Sequence, residues 1–389
     1  MKNKSSELIK QTSYAFTSAI PFALSAAVCS GMGAFAGAIF SCLAAFICSV
    51  VEPKKRTPLY ISVLTVTYAF REFGAPTASL AIIISGICLL LSGLIFKKIK
   101  KPDESSVISS VSAAVMTATA LTVTALFTTD YFGIGASGNT FREIIASYVS
   151  LGFHPNWRGV LYGTIVLVIM ITFPRKFKKA AKIIDFAFVA LILTTALNFV
   201  LNPAYMTTAI KEIGTLSFDN YKNAVYFSLY DFNVSFVGAA VCGIALFFTS
   251  LSSLLQNNDC SKADISVCGG INVIAGLITC MPVPCKTRSK KEIASGLIAA
   301  VLSAVFFLAL HGYIARIPLH SCAVVLIVGV WQSVKWGEFK KTFSNILTVL
   351  LFIVIIMVSI MLGFVYGIIT ASVVAIFYIA YSQKSIKEA

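Results

Sequence analysis

Between Tyr14 and Tyr381 the sequence is a succession of apolar runs separated by short polar or basic stretches. Each run suits a membrane helix of about 20 residues. Backbone N–H and C=O groups have no water to bond inside a bilayer, so such runs fold as helices that close their hydrogen bonds internally. Of 389 residues, 58% are apolar and only 12% charged, and mean hydropathy is +0.87. No soluble domain fits, because the longest polar stretches, near 128–157 and 202–234, are only loop-sized. The chain therefore reads as an all-α polytopic membrane protein, a single transmembrane domain over 1–389.

The formal charge of +15 raises nucleic acid as a partner, but its distribution argues for the bilayer. Basic residues gather between apolar runs: Lys2/Lys4/Lys10, Lys97/Lys98/Lys100/Lys101, Arg175/Lys176/Lys178/Lys179/Lys182, Lys335/Lys340/Lys341 and Lys384/Lys387. The positive-inside rule accounts for such clusters, and their alternation places both termini in the cytoplasm of a multi-pass protein of the inner (plasma) membrane. The ten cysteines follow no disulfide or zinc spacing and mostly lie within apolar runs. His154, His311 and His320 fall in expected outer loops. With no metal cluster and no nucleophile–base pair, neither cofactor nor enzymatic activity is expected. The lysine-rich start followed by an apolar core mimics a signal peptide, but continuation into further runs makes it a first membrane helix.

Two runs are interrupted, one in each half. Apolar Gly269 to Met281 is broken by Pro282 and Pro284, followed by Lys286, Thr287, Arg288, Ser289, Lys290 and Lys291, before apolar sequence resumes at Ile293. Gly33 to Val51 likewise ends in Glu52-Pro53-Lys54-Lys55-Arg56-Thr57-Pro58, and resumes at Leu59. Non-helical backbone at membrane depth must be buried in protein or line a watery cavity, and paired interruptions point to an inverted-repeat transporter with its site near the midplane. This predicts about fourteen transmembrane segments in a seven-plus-seven inverted repeat, with short extended segments before the third and tenth. Pro58 fits the first turn of a helix, with Thr57 as its N-cap. Two helix starts would then turn their positive ends toward one volume, where Arg288 adds a permanent charge and Thr57, Thr287 and Ser289 add hydroxyls. Only Glu52 and Glu292, at the ends of the interruptions, are acidic, which favours a small anion over a cation. An ordinary cytoplasmic loop is the competing reading of Lys286–Lys291; the repeated order of Pro, base and Thr favours the site. Phe22, beside Pro21, is open to either a packing or a site role. Thr249 and Ser252, in the hydroxyl-rich end of the eighth span, either line the path or bond back to their own helix. The tenth span resumes at Ile293 and the eleventh ends near Ala315.

Several stretches resemble the membrane domain of the SulP family of anion transporters and exchangers, nearly end to end. IPFALSAAVCSGMGAFAGAIFSCLAA is similar to that family's first two helices. Thr57-Pro58 falls at its Gly-Pro start of helix 3, SGICLLLSGLIF resembles helix 4, and NWRGVLYGTIVLVIMITFPRKFKK helix 6. INVIAGLITCMPVPCKTRS is similar to the pattern opening helix 10, and RIPLHSCAVVLIVGVWQSVKWGEFKK to the Ile-Pro-Leu to Trp-x-x-Phe block.

The resemblance implies a core domain (13–101 and 235–315) moving against a gate domain (105–201 and 322–381) by alternating access. The anion (chloride, bicarbonate, sulfate or a dicarboxylate) would lie between helices 3 and 10, lined by Phe22, Pro58, Thr287, Arg288 and Ser289. A second copy of the chain is a further implied partner, since the family often dimerises. The sequence departs from the family in three places. It ends at Ala389, just after the last span, so the family's common STAS domain is expected to be absent. Ser252 stands where many bacterial members carry Glu, which moves the expectation toward exchange or uniport. Phe22 replaces a polar residue found in some members. The rival expectations are a nucleobase permease of the same fold and a channel or non-transporting electromotile protein.

Overall fold

Pro21 lies inside the first helix without ending it. In the computed structural model, which describes residues 2–47, 57–95, 98–99, 106–134, 138, 140–201, 212–214, 216, 234–255, 260–282, 290–334 and 336–388, helix α1 runs unbroken from Lys2 to Ser30. Neighbouring helices and hydroxyls compensate such a proline in a membrane helix. Near it, Thr17 Oγ1 donates to the Ser13 carbonyl at 2.8 Å and Ser18 Oγ to that of Ala15 at 3.3 Å. Gly31, at φ 91°, then ends the helix: its N–H reaches the Val28 carbonyl at 3.1 Å and that of Met32 the Ala27 carbonyl at 2.9 Å.

The described helices that follow are α2 (Ala34–Ile47), α3 (Thr57–Phe73), α4 (Ala75–Ile95), α5 (Ser106–Phe132), α6 (Phe141–Leu151), α7 (Trp157–Lys176) and α8 (Phe186–Leu201). They continue with α9 (Phe236–Leu255), α10 (Lys262–Leu277), α11 (Lys290–Ala309), α12 (His311–Ile314) and α13 (Leu319–Ser333). The last are α14 (Trp336–Thr342), α15 (Ile346–Met361) and α16 (Phe364–Glu388). Among the described residues, four stretches are long and apolar enough to cross a membrane alone: Ser6–Ser30, α4, Val107–Phe132 and α7. Most of the other helices carry apolar stretches of 10–17 residues. Large apolar side chains such as Leu94, Val200, Val237, Leu308 and Phe377 stay exposed on the outside of the bundle, as a lipid-facing surface requires.

One group of helices is built around α4. It packs most extensively on α10, where Gly86 and Gly269 bring the two backbones together, and next on α9, where Gly243 faces the Ala81 carbonyl. A two-stranded antiparallel ribbon, β1 (Lys98–Ile99) and β2 (Cys260–Ser261), ties the end of α4 to the start of α10. Ser261 and Asp264 then form the capping box that opens α10. A second group is built around α5, which packs on α13, α15 and α16. Trp331 of α13 donates to Thr124 of α5 at 2.9 Å, and Ser110 of α5 to the Thr348 carbonyl of α15 at 2.5 Å. Helix α1 lies between the groups: Phe16 meets Phe188 of α8 edge-on at 5.5 Å and Phe306 of α11 at 5.8 Å.

Three features differ from the sequence expectation. A single helix, α11, followed by the one turn of α12, occupies the stretch expected to hold separate tenth and eleventh spans. The apolar sequence from Ile293 to Ala315 has room for one crossing of that length and not two. His320 is not in a loop. It is the second residue of α13, buried, with Nδ1 3.1 Å from the Tyr131 carbonyl and its ring against Gly159. The outer stretch 128–157 contains α6, opened by the Thr140–Glu143 capping box. On α6, burial and then the Asp130 carboxylate push the Tyr148 hydroxyl up to about 12, so it stays protonated at neutral pH. Just before α8, Asp185 is a capping residue: its Oδ1 accepts from the Ala187 N–H at 3.0 Å and its own N–H donates to Thr17 of α1.

At the far end of α8, Asn198 is fully buried and donates to Glu212 Oε1 at 2.7 Å and to the Arg316 carbonyl at 2.8 Å. The segment it holds is also bonded by its backbone, Ile213 N–H to the Ile317 carbonyl at 3.0 Å. Asn198→Ala removes a donor from the Arg316 carbonyl and from the Glu212 carboxylate, a loss of about 1–3 kcal/mol. The expected result is a melting temperature in detergent lower by several degrees; an unchanged one would show that Asn198 pins nothing.

Candidate functional site

Helix α3 begins where a proline allows it. Pro58 has no N–H to lose and its fixed φ suits the first turn. The helix starts at Thr57, one residue before the expected position, so Thr57 is its first residue rather than the cap. Pro58, Leu59 and Tyr60 are all buried, so the first turn, with the N–H groups that have no partner within the helix, opens inside the protein.

Phe22 of α1 is 1% exposed and meets Tyr60 edge-on, with ring centroids 5.1 Å apart and planes at 88°. Such a pair contributes about 0.5–1.5 kcal/mol beyond its burial. Phe22 is thus a packed residue, and its packing partner Tyr60 lies in the first turn of α3. Tyr60 was not singled out by sequence reasoning. Its only signal is its place two residues after Pro58, in the turn that Pro58 starts.

The second interruption begins at the end of α10. Thr279 takes a φ of 47°, with its N–H on the Gly276 carbonyl at 3.1 Å and that of Cys280 on Ala275 at 2.7 Å. This is a left-handed helix stop usually given to glycine. Ser79 of α4 donates to the Thr279 hydroxyl at 3.1 Å and holds the unusual residue in place. Cys280, Met281 and Pro282 are non-helical and buried. Non-helical backbone enclosed in protein is what the broken pattern predicted. Thr287, Arg288 and Ser289, with Lys54–Arg56, lie outside the described residues, as do the extended segments expected before the third and tenth spans, apart from 280–282.

Of the two α9 candidates, Thr249 is buried and donates to the Ala245 carbonyl at 2.8 Å, so its hydroxyl bonds back to its own helix. Ser252 is exposed. Their neighbour Ser250 accepts from Asn272 of α10 at 3.3 Å, a buried polar contact between the two helices that sequence reasoning did not single out. Among the described residues no three His, Cys, Asp or Glu gather in a way that could hold a metal ion.

Apolar helices packed around two chain breaks, one of them seen to be buried, define a multi-pass α-helical membrane protein. No protein-family profile and no curated protein matches the sequence. Solved structures do match in fold. The transmembrane domain of a cyanobacterium bicarbonate transporter, BicA, is 18% identical, with a TM-score of 0.64 over 94% of this chain and 96% of that one. SLC26A9 is 13% identical, with a TM-score of 0.65 over 97% of this chain and 65% of that one. The murine Solute Carrier 26 family member A9 anion transporter in the inward-facing state is 13% identical, with a TM-score of 0.67 over 97% and 68%. At these identities the likeness is one of fold, and the fold is that of a SulP-like membrane domain, as the sequence resemblance implied.

Proposed function

We propose that this protein is a secondary transporter of small inorganic or organic anions, in the class of chloride, bicarbonate, sulfate or a dicarboxylate, working by alternating access as an exchanger or uniporter. The observation that carries the reading is the buried first turn of α3, where Tyr60 meets Phe22, within a fold shared almost end to end with the transmembrane domain of a bicarbonate transporter. A helix start enclosed in apolar packing is a fixed positive site that favours an anion. In this reading Phe22, Thr57 and Pro58 form one side of the site, and Thr287, Arg288 and Ser289 the other, at the head of an inverted repeat. The core (13–101 and 235–315) carries the solute past the gate (105–201 and 322–381). The packing of α4 with α9 and α10, and of α5 with α13 and α15, is consistent with two such bodies. Both termini face the cytoplasm, and the protein works in the plasma membrane.

The test is counterflow in proteoliposomes with labelled chloride, bicarbonate, sulfate and succinate, and with uracil alongside. Saturable uptake of at least one anion is expected, with none of uracil. Uracil uptake without anion uptake, or anion current that does not saturate, would overturn the proposal in favour of a permease or a channel.

A further inference from the structure

We propose that the basic end of α7 binds an acidic phospholipid, its headgroup held by Arg175, Lys176, Lys178 and Lys179 and its chains lying along the exposed face of the helix. Such a site requires only that the fold spans a bilayer; it is independent of the anion site at the head of α3.

Helix α7 runs from Trp157 to Lys176, and at 1.5 Å per residue Arg175 lies about 27 Å along the axis from Trp157. The hydrocarbon core of a bilayer is about 30 Å thick. With the exposed Trp157 ring at one boundary, Arg175 therefore emerges at headgroup depth at the other. Between them Leu161, Thr164, Val168 and Ile171 are exposed and follow at three- and four-residue steps, which makes a single face leading to Arg175. The hydroxyl of Thr164 donates to the Val160 carbonyl at 2.8 Å, so the face offers an acyl chain no unsatisfied hydroxyl.

Past the helix the chain is tightly built. Phe177 N–H donates to the Phe173 carbonyl at 2.8 Å, Ala181 N–H to the Phe177 carbonyl at 3.0 Å, and a 3-10 turn follows at Ala180–Lys182. The Phe173 ring lies 5.6 Å from that of Phe177 and 5.7 Å from that of Phe186 in α8, and Asp185 N–H on Thr17 Oγ1 ties the end of the turn to α1. This frame presents Arg175, Lys176, Lys178, Lys179 and Lys182, all exposed, within eight residues. Lys176 Nζ stands 5.7 Å from the centre of the Phe177 ring, itself exposed beside the cations. The α7 dipole accounts for Arg175 and Lys176, in the last turn, but not for the three lysines beyond it. Asp185 is the only acid in the sequence between Arg158 and Glu212. Charge of one sign on an ordered frame opposes a second copy of the chain at this place and suits an anionic surface. Each cation near such a surface brings about a fivefold gain in affinity. A free anion gains less, because exposed charges are screened within about 10 Å in salt, whereas a lipid is also held by its chains.

The experiment reconstitutes the protein in nanodiscs of equal phosphatidylglycerol and phosphatidylcholine, extracts it into mild detergent, and quantifies the retained lipids by mass spectrometry. Wild type is expected to retain phosphatidylglycerol over phosphatidylcholine by about tenfold, and Arg175→Gln/Lys178→Gln/Lys179→Gln to bring the ratio to within about twofold of one. Lys178→Gln/Lys179→Gln leaves α7 itself untouched and is expected to lower the ratio at least about threefold; it carries the test should the triple variant fail to fold. Lys262→Gln/Lys340→Gln removes two exposed lysines elsewhere and is expected to leave the ratio unchanged. Glycerophosphoglycerol, the headgroup without chains, is expected not to displace the retained lipid in millimolar excess. Equal ratios in wild type and the α7 variants would overturn the proposal. So would an equal fall in the Lys262/Lys340 variant, which means net charge alone, or displacement by the free headgroup, which means a soluble phosphate ester.

Discussion

Arg288→Ala is expected to reduce anion uptake into proteoliposomes by about ten- to a hundredfold. A hydrogen bond to a charged group contributes about 1.5–3 kcal/mol, and each 1.4 kcal/mol is tenfold in affinity. Arg288 lies in the second interruption between Thr287 and Ser289, and its counterpart stretch in the first half is Lys54-Lys55-Arg56-Thr57. A guanidinium is always charged and presents planar donors, so it would hold a small anion in a fixed geometry that lysine cannot reproduce. Arg288→Lys should therefore recover part of the uptake at low salt and keep the weaker affinity. The measurement is initial uptake against anion concentration, with protein quantity matched by gel filtration. Full activity in Arg288→Ala would return Lys286–Lys291 to the status of a cytoplasmic basic loop.

Gly86→Val is expected to abolish recovery of folded protein, because α4 and α10 touch backbone to backbone. A Cβ at Gly86 would lie 2.6 Å from the Val273 nitrogen and 2.7 Å from the Gly269 carbonyl oxygen. Gly269 meets the same constraint from the other side, at 2.8 Å from both the Gly86 oxygen and the Leu90 nitrogen. Neither obstacle is a flexible side chain, so the helices must separate, and in a membrane their association depends on that close packing. Overpacking typically costs about 1–3 kcal/mol, and a branched residue against backbone belongs at or above the top of that range. Gly86→Ala should be milder in the same direction. Gly270→Ala is the control, since a Cβ there meets nothing within 4 Å. Yield of monodisperse protein and melting temperature read the series; a normal yield for Gly86→Val would mean that the two helices pack differently.

The apolar runs gave the helices to within a few residues wherever a run was long and bounded by charge, as for α4, α7 and α9. Their boundaries follow from hydrogen bonding and hydropathy, which are local. The stretch from Ile293 to Ala315 was less readable, because one continuous helix and two short ones carry the same apolar pattern. The buried break after α10 was legible because Pro282 and Pro284 forbid a helix there. That Thr279 takes a left-handed turn held by Ser79 was not, since the two residues are 200 apart in sequence.

The packing at the head of α3 divides in the same way. Phe22, Thr57 and Pro58 are visible in sequence because proline fixes the backbone around them. The contact of Tyr60 with Gly329, where an added Cβ would overlap the Tyr60 hydroxyl, is not, because an aromatic in an apolar run and a glycine among valines have no meaning until α3 and α13 are laid side by side. Local chemistry alone determined that this chain lives in a bilayer, that it is helical, and where its helices are broken. Which side chains face one another at the head of α3 was decided only by the packing of helices distant in the chain, because a bilayer-soluble sequence specifies close contacts through shape rather than through polarity.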